Sequence, residues 1–327
     1  MWAFIVRKLI FNIPVYLSIL LLVMLALRVQ DPIYSQLSKN PTPAEKQAVR
    51  EKMGLDKSFM EQYVRLIGNV VTLNFQEQSW SQKGRSVGDI IKKAIPPSMS
   101  VTVPTVIASA FVSIVVSLIS AYFRGRAVDR ILVIFAVLGM SVSFLVYIIF
   151  GQFFGAFLPN QEGGFGTPFA ITGYEPWVPF ISEGAQPWNW VKYCMLPVLI
   201  GVVVAIGYDT RFYRAVMVEE STKDYIVTAL AKGASKPKVI FVHMLKNAMI
   251  PIITRIMSTL PFLITGSILL EMYFKIPGMG FELITAINAN DFPVIQAFVA
   301  VLAAIFIFTI ILTDVAYALV DPRVRLS

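Results

Sequence analysis

The sequence predicts an all-α, polytopic membrane protein with six transmembrane helices and both termini on the cytoplasmic side. Three observations carry this expectation. Of 327 residues, 56% are hydrophobic and 15% charged, where a soluble domain carries roughly a quarter of its residues as charges. Several uncharged runs are long enough to cross a bilayer. The basic residues gather in segments that a single topology places on one side. The balance of 28 Lys and Arg against 20 Asp and Glu gives +8, which alone would also suit a nucleic-acid binder. Basic inner loops account for it, so no nucleic-acid partner is expected. A single Cys (Cys194) excludes an intramolecular disulfide framework, and with a single His (His243) there is no basis for a metal site or a His-based catalytic cluster.

The first apolar run, residues 9–27, follows Arg7 and Lys8. It exceeds the apolar stretch of a signal peptide, and no A-x-A-like site precedes Arg28, so residues 1–28 read as an uncleaved anchor. Residues 29–98 are too long for a simple connection and form an extracytoplasmic helical segment. Helical spacing runs over 43–53 and 58–71, where Phe59, Tyr63, Leu66, Ile67 and Val70 recur, with Gly54 between them. After a loop near Lys83, Val87, Ile90, Ile91, Ala94 and Ile95 form an apolar stripe beside Lys92 and Lys93. Pro96 and Pro97 should end that helix, which is expected to lie along the membrane surface. The whole segment is either an outer cap that seats a partner or a packed loop.

Residues 99–327 hold the remaining spans, over 99–123, 131–158, 193–208, 248–276 and 292–313. Pro14, Pro104, Pro197, Pro251 and Pro261 fall in or beside spans, where neighbouring helices can satisfy the freed carbonyls, and they mark kinks. With the N-terminus inside, the inner segments hold Arg7, Lys8, Arg124, Arg126, Arg130, Arg323, Arg325 and the basic residues of 211–247, while the short outer ones hold Lys192 and Lys275. Met140, Ser141, Ser143, Phe144 and Tyr147 in the third span either line a translocation path or serve helix packing. Asp209, Arg211 and Arg214 read as an ion-pair cluster or interfacial anchors, as do Glu271 and Asp314. Trp177, Trp188 and Trp190 suit an aromatic belt at the outer interface or contact with a binding protein.

The most informative segment is the inner loop 211–247. Ser221-Thr222-Lys223-Asp224 fits a capping box, predicting a helix from Thr222 to Lys232. Gly233 suits the left-handed position that stops it, and Ser235 with Pro237 opens the next helix. So short a helix needs a surface. It either rests on headgroups or fits a groove of another protein, with Thr228, Ala229, Gly233 and Ala234 allowing close approach.

The run Asp224-Tyr225-Ile226-Val227-Thr228-Ala229-Leu230-Ala231-Lys232-Gly233-Ala234-Ser235, continuing through His243 to Pro251, resembles the coupling loop of permease subunits of bacterial ATP-binding-cassette importers, in their dipeptide and oligopeptide branch. Leu55-Asp56-Lys57 behind Gly54, Gln62-Tyr63, Pro277-Gly278-Met279-Gly280, Asp291-Phe292-Pro293 and Asp321-Pro322-Arg323 are similar to further stretches of that branch, nearly end to end. The sequence departs from it at Asp31-Pro32 and at Thr72-Leu73-Asn74-Phe75, both on the outer side. The resemblance implies a type I importer permease fold in the bacterial inner membrane. It also implies a second homologous permease, two cytoplasmic ATP-binding subunits and an extracytoplasmic substrate-binding protein as partners. Asp224, Tyr225, Thr228, Ala229, Lys232, Gly233 and Ala234 would couple to the ATPase. The chain has no G-x-x-x-x-G-K-[ST] loop, so no catalytic residue or cofactor is expected in it, and ATP and Mg would be bound by the partners. Peptides are the implied substrates, with nickel chelates, glutathione, peptide antibiotics or oligosaccharides as alternatives. An ion-coupled secondary transporter would show matched interrupted spans and buried coupling residues, and a membrane enzyme would show a cluster of reactive side chains. Neither pattern is found.

Overall fold

A computed structural model describes residues 2–29, 33, 42–52, 55–161, 163–176, 186–265 and 268–320. Gly54, Trp177, Asp31-Pro32 and the Asp321-Pro322-Arg323 run lie outside them. The helices in chain order are α1 (Trp2–Leu27), α2 (Pro43–Lys52), α3 (Phe59–Val71), α4 (Val87–Tyr122), α5 (Ala127–Ser141), α6 (Phe144–Gln152), α7 (Pro187–Tyr193), α8 (Met195–Glu220), α9 (Asp224–Ala231), α10 (Lys236–Lys238), α11 (Leu245–Thr265), α12 (Ile268–Phe274), α13 (Met279–Asn288) and α14 (Phe292–Val320). Among the described residues there is no strand beyond one isolated bridge, Gln78 to Ser86. Among the described residues five helices are long and apolar enough to cross a membrane, or six when a bent pair is taken as one span.

The chain forms two compact units. The first comprises residues 1–96 and 277–311. Its larger core joins Val87, Ile90, Ile91 and Ala94 to Met279, Phe292, Ile295 and Phe298, and a smaller one joins Leu20, Met24, Leu66 and Ala300. Tyr63 Oη donates to the Leu17 carbonyl at 2.8 Å and Tyr16 Oη to that of Ala300 at 3.0 Å, fixing α3 and α14 on α1. Asp291, fully buried, accepts from the Ser81 amide at 3.0 Å and its hydroxyl at 2.7 Å. It thereby holds the 79–82 loop at the start of α14.

The stripe expected on the membrane surface is therefore buried in this first core. Pro96 and Pro97 do not end its helix, since α4 runs on through both. The carbonyls that a proline deprives of a donor lie four residues earlier, at Lys92 and Lys93, and both lysines are exposed. Burying four apolar residues offsets two missing backbone hydrogen bonds that water can replace.

The second unit comprises residues 97–276 and 312–327. Its cores gather around α8. One contains Val101, Ile148, Leu196, Ile200 and Leu270, and the other Leu118, Tyr213, Met217, Ile226, Ile240 and Ile252. Pro104 removes the donor for the Ser100 carbonyl, and the Trp190 indole supplies a substitute at 2.9 Å. Trp190 is thus a packing residue, while Trp188 is 60% exposed and free to serve an aromatic belt. Cys194 is completely buried between α7 and α8.

The third apolar run is not one straight helix. α5 and the helical stretch from Phe144 to Asn160 meet at 93°, because Val142 and Ser143 both take extended backbone, with ψ of 136° and 139°. The break frees carbonyls at the end of α5. Tyr147 Oη donates to that of Gly139 at 2.9 Å, and Tyr208 Oη to that of Met140 at 3.3 Å. At the same place Gly207 of α8 meets the α5 backbone, the close approach that small residues permit between membrane helices.

Candidate functional site

The loop between α8 and α11 begins where α8 ends at Glu220. Ser221 caps that C-terminus: its hydroxyl donates to the Val218 carbonyl at 2.6 Å. The capping box expected at Ser221 does not form, because the residue is already committed to α8. α9 instead starts after Lys223, without a side-chain cap. It ends as the sequence predicts. Gly233 sits at φ +79°, the Gly233 amide reaches the Leu230 carbonyl at 2.9 Å, and the Ala234 amide reaches that of Ala229 at 3.1 Å. These two bonds are the Schellman pair that closes a helix through a left-handed residue. Ser235 then precedes α10, with Pro237 in its first turn, and a π-helical stretch, Val239–Met244, leads into α11.

α9 has two faces. Ile226 is buried, and Tyr225, Ala229 and Ala234 are half-buried, packing into the core with Tyr213, Met217, Val239 and Met244. Tyr225 Oη donates to Glu220 Oε2 at 2.7 Å, and Lys223 Nζ pairs with Glu220 Oε1. Burial, reinforced by Glu220, pushes the Tyr225 phenol up to about 12, and the same carboxylate holds the Lys223 ammonium above its ordinary range. Asp224, Thr228, Lys232 and Gly233 are exposed, with Val227 63% and Leu230 50% exposed. Of the seven residues singled out from sequence, four thus point outward and three hold the helix down. Val227 and Leu230, which are not among those seven, supply the apolar part of the outer face.

The proposed path residues flank the α5–α6 break. Ser141 and Ser143 are exposed, and Met140, Phe144 and Tyr147 are half-buried. A cavity of about 370 Å³ opens in the second unit among α4, α6, α8, α11 and α12, and of these five only Phe144 lines it. Its polar lining comes instead from Thr102, Thr105, Ser109, Asp209, Tyr213 and Thr259. A threonine or serine in an apolar run gives no signal that separates a cavity wall from helix packing. Asp209, Arg211 and Arg214 do not form one cluster. Asp209 pairs with Arg255 at 3.6 Å, and Arg214 pairs with Asp129 at 2.8 Å. Glu271 does not reach an interface either, being buried and accepting from Ser98 Oγ at 2.6 Å. The side chain of Asp314 lies outside the description.

Residues 113–326 match the family described as the binding-protein-dependent transport system inner membrane component, and residues 1–102 match its N-terminal companion family. The chain belongs to this family. It is 31% identical over 99% of its length to the whole of the protein named "Probable peptide ABC transporter permease protein y4tP" from Sinorhizobium fredii. The dipeptide transport system permease protein DppB of Lactococcus lactis is 32% identical over 87% of each chain. The glutathione transport system permease protein GsiC of Shigella boydii is 30% identical over 99% of each. The chain is accordingly a multi-pass inner-membrane permease subunit of an ABC importer, whose other components include an ATPase and a substrate-binding protein.

Proposed function

We propose that this permease moves peptides inward and that α9 is the helix through which ATP hydrolysis drives it. The names of its relatives support peptides of two or more residues as the substrate, and the glutathione permease extends that class to a modified tripeptide. Two ATPase subunits binding ATP and Mg, a second homologous permease and the binding protein complete the assembly. The permease itself carries no ATPase site.

One observation carries the coupling role. α9 is pinned through Tyr225, Ile226 and Ala229 and presents Val227 on its outer side with Leu230 half-exposed at the flank. An exposed apolar pair on a helix already anchored by its opposite side suits insertion into a groove. Closure of the ATPase subunits would then push α9, and with it α8 and α11. The test is to express the complete importer with Leu230→Asp. Expected is loss of the ATPase subunits from the purified complex and loss of ATP-dependent uptake of labelled dipeptide, with the permease still in the membrane. Retention of both would refute the docking role.

A further inference from the structure

Between α4 and α5 the chain turns through Phe123, Arg124, Gly125 and Arg126, with Gly125 at φ +80°. This turn and the first residues of α5 are tied at three places to α8 and to the loop carrying α9. First, Arg214 of α8 donates from Nε to Asp129 Oδ1 at 2.8 Å and from Nη2 to Oδ2 at 2.9 Å. The same carboxylate accepts from the Gly125 amide at 3.0 Å and from the Ser120 hydroxyl, which in turn accepts from Arg214 Nε at 2.9 Å. Second, Arg124 Nη1 donates to Ser221 Oγ at 3.1 Å, where α8 ends. Third, beyond α9, Lys236 Nζ donates to the Tyr122 carbonyl at 2.8 Å and lies 4.7 Å from the Tyr122 ring centre. The ties therefore precede and follow α9 in sequence. Between them Leu118, Ala121 and Tyr122 share a core with Tyr225, Ile226 and Ala234.

An exposed ion pair would constrain little. The Asp129 side chain is only 5% exposed, and a two-point Arg–carboxylate contact fixes orientation as well as distance. Sliding α5 against α8 would leave a charge buried without its partner, which is strongly unfavourable. The turn and the loop are therefore constrained to shift together.

We propose that Asp129 and Arg214 are positioning residues for energy coupling. They make the α4–α5 turn travel with α9, so that a push on the docked helix reaches α4 and α5 as well as α8 and α11. This rests on the reading of α9 as the docking helix.

The experiment uses the complete importer in proteoliposomes and records retention of the ATPase subunits, ATP hydrolysis, and substrate taken up per ATP hydrolysed. Asp129→Asn keeps the shape of the side chain and removes its charge. The expected result is retained ATPase subunits and continuing hydrolysis, with uptake per ATP lowered about tenfold, within the range usual for coupling between sites. Exchange of the pair, Asp129→Arg with Arg214→Asp, should recover part of that loss. Should Asp129→Asn fail to accumulate, Arg214→Lys carries the same test, since it keeps the charge but cannot make the two-point contact, and a lowered uptake per ATP is again expected. A merely structural contact would reduce assembly, hydrolysis and uptake in proportion. Unchanged uptake per ATP in whichever variant of the pair accumulates overturns the proposal. The two readings fail separately, since docking is judged by ATPase retention in Leu230→Asp and the pair by uptake per ATP.

Discussion

Replacing Gly207 with alanine tests whether backbone contact sets the crossing of α5 and α8. A Cβ there would lie 3.0 Å from the Met140 amide nitrogen, 3.1 Å from the Ala136 carbonyl oxygen and 3.3 Å from the Gly139 carbonyl carbon. Ordinary contact begins near 3.4 Å, so the helices must part by about 0.4 Å. All three obstructing atoms belong to the α5 backbone, and no rotamer change can move them. A gap of that size forfeits roughly a quarter of the dispersion attraction at each contact along the crossing, and overpacking a filled interior costs about 1–3 kcal/mol. Gly155 is the control. Its Cβ would come closer, to 2.8 Å from Leu196 Cδ1, but the end of a leucine can turn aside into another rotamer. Thermal unfolding of the purified importer in detergent should show a midpoint several degrees lower for Gly207→Ala, at about 2–4 °C per kcal/mol, and little change for Gly155→Ala. Equal midpoints, or a lower one for Gly155→Ala, would refute the distinction between backbone and side-chain obstruction.

Trp190→Phe should cost about 1–3 kcal/mol, because the Ser100 carbonyl loses its donor. Adding Pro104→Ala restores a backbone N–H and should shrink that cost, so strictly additive stabilities in the double-variant cycle would disprove the substitution of indole for amide. At Gly233 nothing lies within 4 Å of an added Cβ, which leaves backbone conformation as the obstacle, about 1–2 kcal/mol for most residues and less for asparagine. Dipeptide uptake should therefore fall in the order Gly, Asn, Ala, Val. An alanine variant that matches glycine while asparagine fails would show a steric demand from the partner instead.

Runs without charge placed most spans, because exclusion of ionised groups from hydrocarbon leaves few other readings. The bend at Val142 and Ser143 was hidden, since neither residue breaks a helix by itself and the hydroxyls that satisfy the freed carbonyls come from Tyr147 and from the distant Tyr208. Pro96 and Pro97 were misread for the opposite reason. They are strong local signals, overridden by the burial of Ile90, Ile91 and Ala94 in the first unit. In the loop, Gly233 was legible because a left-handed helix stop needs a particular residue type. The start of α9 was not, since Ser221 fits both a beginning and an ending and only the length of α8 decides. Asp129 gave no sign either: one acid in an arginine-rich turn looks like a solvated charge until the fold brings Arg214 to it.

The complete burial of Cys194 has a practical side. The protein's sole thiol is withdrawn from aqueous reagents, so the natural chain already serves as an unlabelled background. A cysteine introduced at an exposed position such as Glu61 in the outer segment or Arg126 in the α4–α5 turn would be the group that a charged maleimide marks in intact or inverted vesicles. The side of the bilayer from which each site reacts would then map the topology directly, with the native packing around α7 and α8 left untouched.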